Sequence, residues 1–258
     1  MSILREIVLN KRKEIHFLKK NRPISEIEKS QYFNREVISL KKSLIEKSGI
    51  ISEFKRKSPS KPNINLDAEV ITITRGYELS NSSGISILTD SKYFGGSNED
   101  ITSVRSEINI PILRKDFILD EYQVIESKSL GADVILLIAA SLSKEDVKNL
   151  SRFAKTFDLQ VILEIHSEDE LSYLCDSIDI VGVNNRNLKK FETDINNSIN
   201  IAGMIPSSFL KISESGISTS KEILRLKEHG YDGFLIGENF MKKEDPVFAC
   251  NDFIKKIC

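Results

Sequence analysis

Histidine and cysteine are scarce in this chain, three of each among 258 residues. The histidines His16, His166 and His229 form no H-x-x-x-H pair, and the cysteines Cys175, Cys250 and Cys258 form no C-x-x-C pair. A zinc site would therefore have to be built from carboxylates. An odd count of irregularly spaced cysteines also fits a reducing compartment better than a disulfide framework. Long apolar runs are missing: none reaches the roughly 18 residues that a membrane-spanning helix needs. The opening M-S-I-L-R-E-I-V-L-N-K-R-K-E carries charge too early and too often for a secretory signal, so a cytoplasmic location is expected. No G-x-G-x-x-G occurs, which removes the usual dinucleotide fingerprint. Neither sign of charge is in excess: 37 Lys and Arg face 38 Asp and Glu. That balance gives no footing for nucleic acid.

What is present is an alternation. From Gly49 onward, short runs rich in Ile, Val and Leu recur: I-I-S-E-F from Ile50, G-I-S-I-L-T from Gly84, I-P-I-L-R from Ile110 and D-V-I-L-L-I from Asp133. Q-V-I-L-E-I from Gln160, I-V-G-V-N from Ile180, L-K-I-S-E from Leu210 and G-F-L-I-G from Gly233 complete the set. The eight runs begin 20 to 34 residues apart. Amphipathic stretches lie between them, such as K-E-D-V-K-N-L-S-R-F-A-K from Lys144 to Lys155. Ser143 is placed as its N-cap, with Asp146 three residues on. Apolar strands separated by helices predict a parallel sheet covered on both faces. Eight such units without a break predict a closed (β/α)8 barrel, the TIM-barrel class of α/β folds. The other arrangement, an open doubly wound sheet, needs a Gly-rich turn after its first strand, where this chain has E-F-K-R-K-S-P-S.

Residues 1–47 read differently, with 12 Lys and Arg against 6 Glu and no Asp. Ile3, Leu4, Ile7 and Val8, then Ile15 and Leu18, recur at helical spacing. Pro23 ends that pattern, and a second helix is expected from about Ser25, with Glu28 completing a capping box. The lysines read as a solvated helix face; a positive approach path for an anionic ligand is the sharper alternative. The expected organisation is a single domain, with a helical extension over 1–47 packed on a barrel over 48–258.

Active sites of such barrels lie at the C-terminal ends of the strands. Seven of the eight runs end there in charged or polar residues. Glu53 and Lys55 close the first; two apart along a strand, they share a face. Thr89-Asp90 closes the second, Arg114-Lys115-Asp116 the third, Glu164 the fifth and Asn184-Asn185-Arg186 the sixth. Glu214-Ser215-Gly216 closes the seventh and Gly237-Glu238-Asn239 the eighth. One such residue is an ion pair or a cap; seven around a ring predict a polar pocket for a charged ligand. Gly216 and Gly237 stand after strands seven and eight, the usual phosphate grip of this fold. Glu238 must then aim its carboxylate away from the phosphate. Lys115 and Glu164 are the candidate acid–base pair, with burial against Val161-Ile162-Leu163 expected to raise the Glu164 pKa. Lys55, Lys115 and Arg186 add cations for a second anion, such as a carboxylate. Phe94, Phe117 and Leu136 supply apolar walls. His166, close after Glu164, has two readings: a residue near the site, or a polar cap on the next helix, the plainer of the two.

Taken together, the motifs resemble those of the indole-3-glycerol phosphate synthase family. The matching stretches are E-F-K-R-K-S-P-S from Glu53, L-T-D-S-K-Y-F-G-G-S from Leu88, I-L-R-K-D-F-I from Ile112 and L-L-I-A from Leu136. L-E-I-H from Leu163, V-G-V-N-N-R-N-L from Val181, S-E-S-G-I from Ser213 and L-I-G-E from Leu235 follow in order. The resemblance implies a phosphorylated small-molecule substrate, 1-(2-carboxyphenylamino)-1-deoxyribulose 5-phosphate. It implies closure of the indole ring with loss of carbon dioxide and water, and neither metal nor organic cofactor. It implies Lys115 as general acid, Glu164 as acid or base, Lys55 on the carboxylate and Glu53 positioning Lys55. Asn184, Arg186 and Ser215 would orient the substrate. Ser58, Gly216, Gly237 and the backbone of Glu238 would grip the phosphate. Phe94, Phe117, Pro59, Leu136 and Leu188 would line the ring pocket. The family usually carries Gly near position 62, where this chain has Pro62, which implies a stiffer loop. Protein partners stay open. The alternatives are another phosphosugar barrel enzyme, such as phosphoribosylanthranilate isomerase, and a barrel that binds without turnover.

Overall fold

The structure, a computed structural model, describes residues 2–187 and 192–257. Leu188, expected on the ring pocket, lies outside these residues.

Helix α1 (Ile3–Asn21) starts where the Ser2 hydroxyl accepts from the Arg5 N–H, and it buries Ile7 and Ile15. Arg22 then turns extended, as the residue before a proline must. The expected Ser25–Glu28 capping box does not form. Pro23, with its φ of −66° already suited to a helix start, occupies the N-cap position of α2 (Ile24–Ile27), and Glu28 falls at its far end. Helix α3 (Leu40–Glu46) is capped by Ser39, whose hydroxyl accepts from the Lys42 N–H.

Each apolar run is a strand: β1 (Ile50–Phe54), β2 (Gly84–Leu88), β3 (Ile112–Lys115), β4 (Val134–Ile138), β5 (Gln160–Ile165), β6 (Ile180–Asn184), β7 (Leu210–Glu214) and β8 (Gly233–Ile236). All pair in parallel with their sequence neighbours, and β8 pairs with β1 to close the barrel. The helix Lys144–Lys155 between β4 and β5 has the capping box expected of Ser143 and Asp146.

Alternation along each strand sorts the side chains into two cores. Ile50, Ile85, Ile112, Ile135, Val161, Val181 and Phe234 face the outer helices. Ile51, Leu113, Leu136, Ile162, Ile180, Ile212 and Leu235 face inward. Leu40 and Leu44 of α3 join this inner cluster where β2 and β8 begin, so α3 plugs the lower end of the barrel. Each fully buried branched side chain contributes about 1.5–3 kcal/mol. Two residues further along, the same inward face carries Glu53, Lys115, Glu164 and Glu214. The upper layer of the interior is thus charged, above an apolar floor that supplies the stability.

The basic face of α1 is not wholly solvated. Lys11 is 1% exposed, and its Nζ lies 3.1 Å from Asp90 Oδ2 and 3.0 Å from Asp116 Oδ1. Those carboxylates follow β2 and β3, so α1 docks over the C-terminal rim of the barrel. Among the described residues no helix is long and apolar enough to cross a membrane.

Candidate active site

The cavity at the C-terminal rim collects its walls from α1 and the ends of all eight strands. Glu53, Lys55, Lys115, Glu164, Asn184, Arg186 and Ser215 line it together, with Ser58 and Pro59 at the mouth. Phe94, Phe117 and Leu136 form an apolar wall, the two rings 6.2 Å apart. Ile3, Leu4 and Ile7 of α1 also reach it, so the extension borders the site. Gly216, Gly237 and Glu238 border an adjoining recess beyond β7 and β8, which shares Glu53, Lys55, Arg186 and Ser215 with the main cavity. Ser58 does not border that recess; it turns back on Lys61 through paired backbone bonds of 2.8 and 3.0 Å, immediately before Pro62. Lys61 Nζ in turn holds Glu238 Oε1 at 2.5 Å, which draws that carboxylate to one side.

Lys115 ends β3 with its ammonium 3.0 Å from Glu164 Oε2 and 3.3 Å from Glu214 Oε2. Burial works against its charge, but Glu164, Glu214 and Glu53 outweigh burial and hold its pKa above the usual lysine value. Lys55 Nζ sits 2.7 Å from Glu53 Oε1, and the Ser86 hydroxyl donates to the other Glu53 oxygen at 3.3 Å.

Three carboxylates thus meet two ammoniums, and one proton is left to share. Burial pushes Glu164 up, but Lys115 and then His166 pull harder, and its pKa falls to about 2. The expectation of a raised Glu164 is overturned. Glu214 takes the raised value instead: burial, reinforced by Glu164 and Glu53, lifts it to about 8 against the pull of Lys115. Geometry explains the split. Glu164 holds the shorter contact to Lys115 and a hydrogen bond with Asn184, whereas Glu214 Oε1 is buried with no partner. A carboxylate with an unpartnered oxygen is the cheaper one to protonate.

Two glycines make room for this cluster. A Cβ on Gly182 would lie 2.4 Å from Glu214 Oε1, and one on Gly237 would lie 2.5 Å from Glu53 Oε1. Ser215 and Gly216 are both left-handed, at φ +69° and +77°. The Asn185 amide fastens that turn, donating to Ser213 Oγ at 2.9 Å and to the Ser215 carbonyl at 3.0 Å.

Two groups take a larger part in the site than the sequence assigns them. Glu214 appeared only as one of the rim charges, although it stands two residues after inward-facing Ile212. Of the two readings of His166, the structure agrees with the one near the site and not with the helix cap. His166 lines the cavity with its Nε2 3.5 Å from Glu164 Oε1. Its spacing of two from Glu164 was the available signal. Among the described residues no group of His, Cys, Asp and Glu is arranged to hold a metal ion.

The family model described as indole-3-glycerol phosphate synthase matches residues 4–253. An indole-3-glycerol phosphate synthase of Bacteroides thetaiotaomicron is 45% identical over 256 residues, 99% of this chain and 98% of that protein. One of Campylobacter fetus is 41% identical, covering 97% of this chain and 98% of its own. Among solved structures, 3-hexulose-6-phosphate synthase of Salmonella typhimurium superposes with a TM-score of 0.64 at 12% identity, covering 81% of this chain and 98% of its own. A chain of the tryptophan synthase complex of Pyrococcus furiosus gives 0.59 at 12%, covering 82% and 98%. These two show the barrel alone. The match over nearly the whole length, at this identity and on this fold, places the chain in the indole-3-glycerol phosphate synthase family, lyases of tryptophan biosynthesis.

Proposed function

We propose that the cavity closes the indole ring of 1-(2-carboxyphenylamino)-1-deoxyribulose 5-phosphate through general acid and base catalysis by Lys115 and Glu164. The observation that carries this is Lys115 itself, a half-buried ammonium fixed between two carboxylates in a cavity with an apolar wall. The substrate's benzene ring rests on Phe94, Phe117, Leu136 and Pro59, and its carboxylate meets Lys55. Its phosphate lies in the recess by Gly216, Gly237 and the Glu238 backbone. Asn184, Arg186 and Ser215 orient the chain between.

As the ring carbon attacks the ketone, charge builds on the ketone oxygen. Lys115 is held charged, so it stabilises that oxygen and releases its proton only once the oxygen is basic. The carboxylate then leaves as carbon dioxide, and its bonding electrons restore the aromatic ring. Glu164, held ionised, next takes a proton from the new five-membered ring while the hydroxyl departs as water with a proton from Lys55 or Lys115. Glu53 holds Lys55 in place, and Glu214, neutral near pH 7, limits the net charge of the buried cluster. The thiols of Cys175 and Cys250 are free, which supports action in a reducing compartment such as the cytoplasm.

The test is the fluorescence of the indole product from purified protein. Wild type should form it, and Lys115→Ala should lose roughly 10²- to 10⁴-fold in kcat, the usual worth of a positioned acid. Near-full turnover in that variant removes Lys115 from the mechanism, and isomerase activity without indole fluorescence replaces the reaction.

A further inference from the structure

Adjoining the main cavity at His166, Asn184 and Arg186 lies a second chamber. It is polar, bordered by Ala140, Glu170, Asn185, Asp194 and Asn197. His166 therefore stands in the partition between the two. Its Nε2 faces Glu164 Oε1 at 3.5 Å, and its Nδ1 faces Glu170 Oε2 at 3.8 Å. Its backbone is pinned on both sides: the N–H donates to Glu170 Oε2 at 2.5 Å, and the carbonyl accepts from the Asn197 amide at 3.1 Å. The ring itself has no hydrogen bond at either nitrogen, although both are buried. A purely structural histidine would satisfy at least one of them.

The reaction has a need that this arrangement meets. The substrate carboxylate leaves as neutral carbon dioxide and the ketone oxygen leaves as water, so each turnover consumes one proton. Lys115 and Glu164 can pass protons between themselves, but neither is a net source. We propose that His166 is the positioning residue that carries this proton from the polar chamber to Glu164, and through it to Lys115. The inference rests on the acid and base roles given to Lys115 and Glu164 above.

A proton from Glu170 or chamber solvent reaches Nδ1 as Nε2 gives its own to Glu164 Oε1. The Glu164 carboxyl then turns so that this proton faces Lys115, whose Nζ lies 3.0 Å from the carboxylate, and passes it to the amine after that amine has protonated the ketone oxygen. Every step moves one proton, and no electrons are exchanged. Imidazole suits this because one nitrogen accepts as the other releases. The gaps at 3.5 and 3.8 Å exceed hydrogen-bond length, so ring rotation makes one contact at a time. The groups facing His166 are Glu164 from β5, Glu170 beyond it, Asn184 and Arg186 at the end of β6, and Asn197 from the helix Asn196–Ala202; Lys115 lies behind Glu164.

The experiment compares His166→Ala and His166→Gln with wild type in the full chain, following product fluorescence and thermal midpoint. Expected is a fall in kcat of roughly 10- to 100-fold in both, the lower range for positioned proton transfer. KM should stay within about twofold, and the solvent deuterium isotope effect on kcat should rise. Added imidazole should restore kcat in His166→Ala and not in His166→Gln, whose side chain fills the space. Three results overturn the relay: kcat within about twofold of wild type; a loss that imidazole does not restore in a folded His166→Ala; or a rise in KM at constant kcat. Should His166→Ala fail to fold, kcat and the isotope effect of His166→Gln decide. An active wild type that needs Lys115 but not His166 overturns the relay alone, whereas a wild type that makes no indole product overturns the reaction itself.

Discussion

Glu164 and Glu214 face the same ammonium from strands β5 and β7, yet they titrate in opposite directions. Glu164 is ionised in the folded chain down to about pH 2, while its unfolded counterpart takes up a proton below about 4.5. That difference stabilises the fold above pH 4.5 and is lost as pH falls toward 2. Glu214 keeps its proton in the folded chain up to about pH 8, while the unfolded chain releases it above about 4.5. Its contribution therefore runs the other way, and stability declines as pH rises from about 4.5 to about 8. Glu214→Gln has nearly the same shape and no proton to lose. Urea unfolding at about pH 5 and about pH 8 should show the variant gaining on wild type at the higher pH, by about 1 kcal/mol or more. A difference that is flat with pH would mean that Glu214 is already ionised when folded. Neither value was legible in the sequence. L-E-I-H and S-E-S-G-I each show one carboxylate at a strand end, but the sign of each shift depends on charges that β1, β3, β5 and β7 bring together.

At the level of the element, Gly182 shows what a strand gives up to hold such a cluster. Glycine weakens a strand interior, and V-G-V-N alone gives no reason for one. The reason is Glu214 on the neighbouring strand, which occupies the space a Cβ would need. Gly182→Ala should push Glu214 off Lys115. The expected result is a fall in kcat of at least about tenfold, alongside an overpacking cost of about 1–3 kcal/mol. Steady-state fluorescence and a denaturant melt check both, and an unchanged kcat with only the melt affected would take Glu214 out of the mechanism. The strands themselves were plain in the sequence because both of their faces are apolar, so each run stands out from its flanks. The ring of rim residues followed from the barrel and the period of two. Helix α2 was read one residue late because Pro23 sets the turn by its own φ, without help from the Ser25 and Glu28 side chains.

For the molecule as a whole, the question is how the extension over 1–47 is coupled to the barrel's chemistry. Composition shows an excess of cations there, but not which of the 12 meets a carboxylate from strands far along the chain. Lys19 pairs with Asp120 and Arg35 with Asp133, and at the C-terminal rim that part falls to Lys11, between Asp90 and Asp116. Asp116 is the neighbour of Lys115; it also accepts from the Thr89 hydroxyl at 2.6 Å and pairs with Arg114, which holds Glu126 at 2.6 Å. One buried network therefore ties α1, the ends of β2 and β3, and the helix Glu121–Leu130 together beside Lys115. Removing one member of such a network leaves buried charge without its partner, at a cost of about 3–5 kcal/mol. Lys11→Met keeps the apolar stem and deletes that charge, so it should lower stability by this order and free α1 from the rim. Because Ile3, Leu4 and Ile7 border the cavity, KM should rise by more than kcat falls. Limited proteolysis should cut within residues 3–21 earlier than in wild type. If neither KM nor the cleavage pattern moves while the melt does, the ion pairs of Lys11 serve stability alone and α1 stays seated through its apolar face.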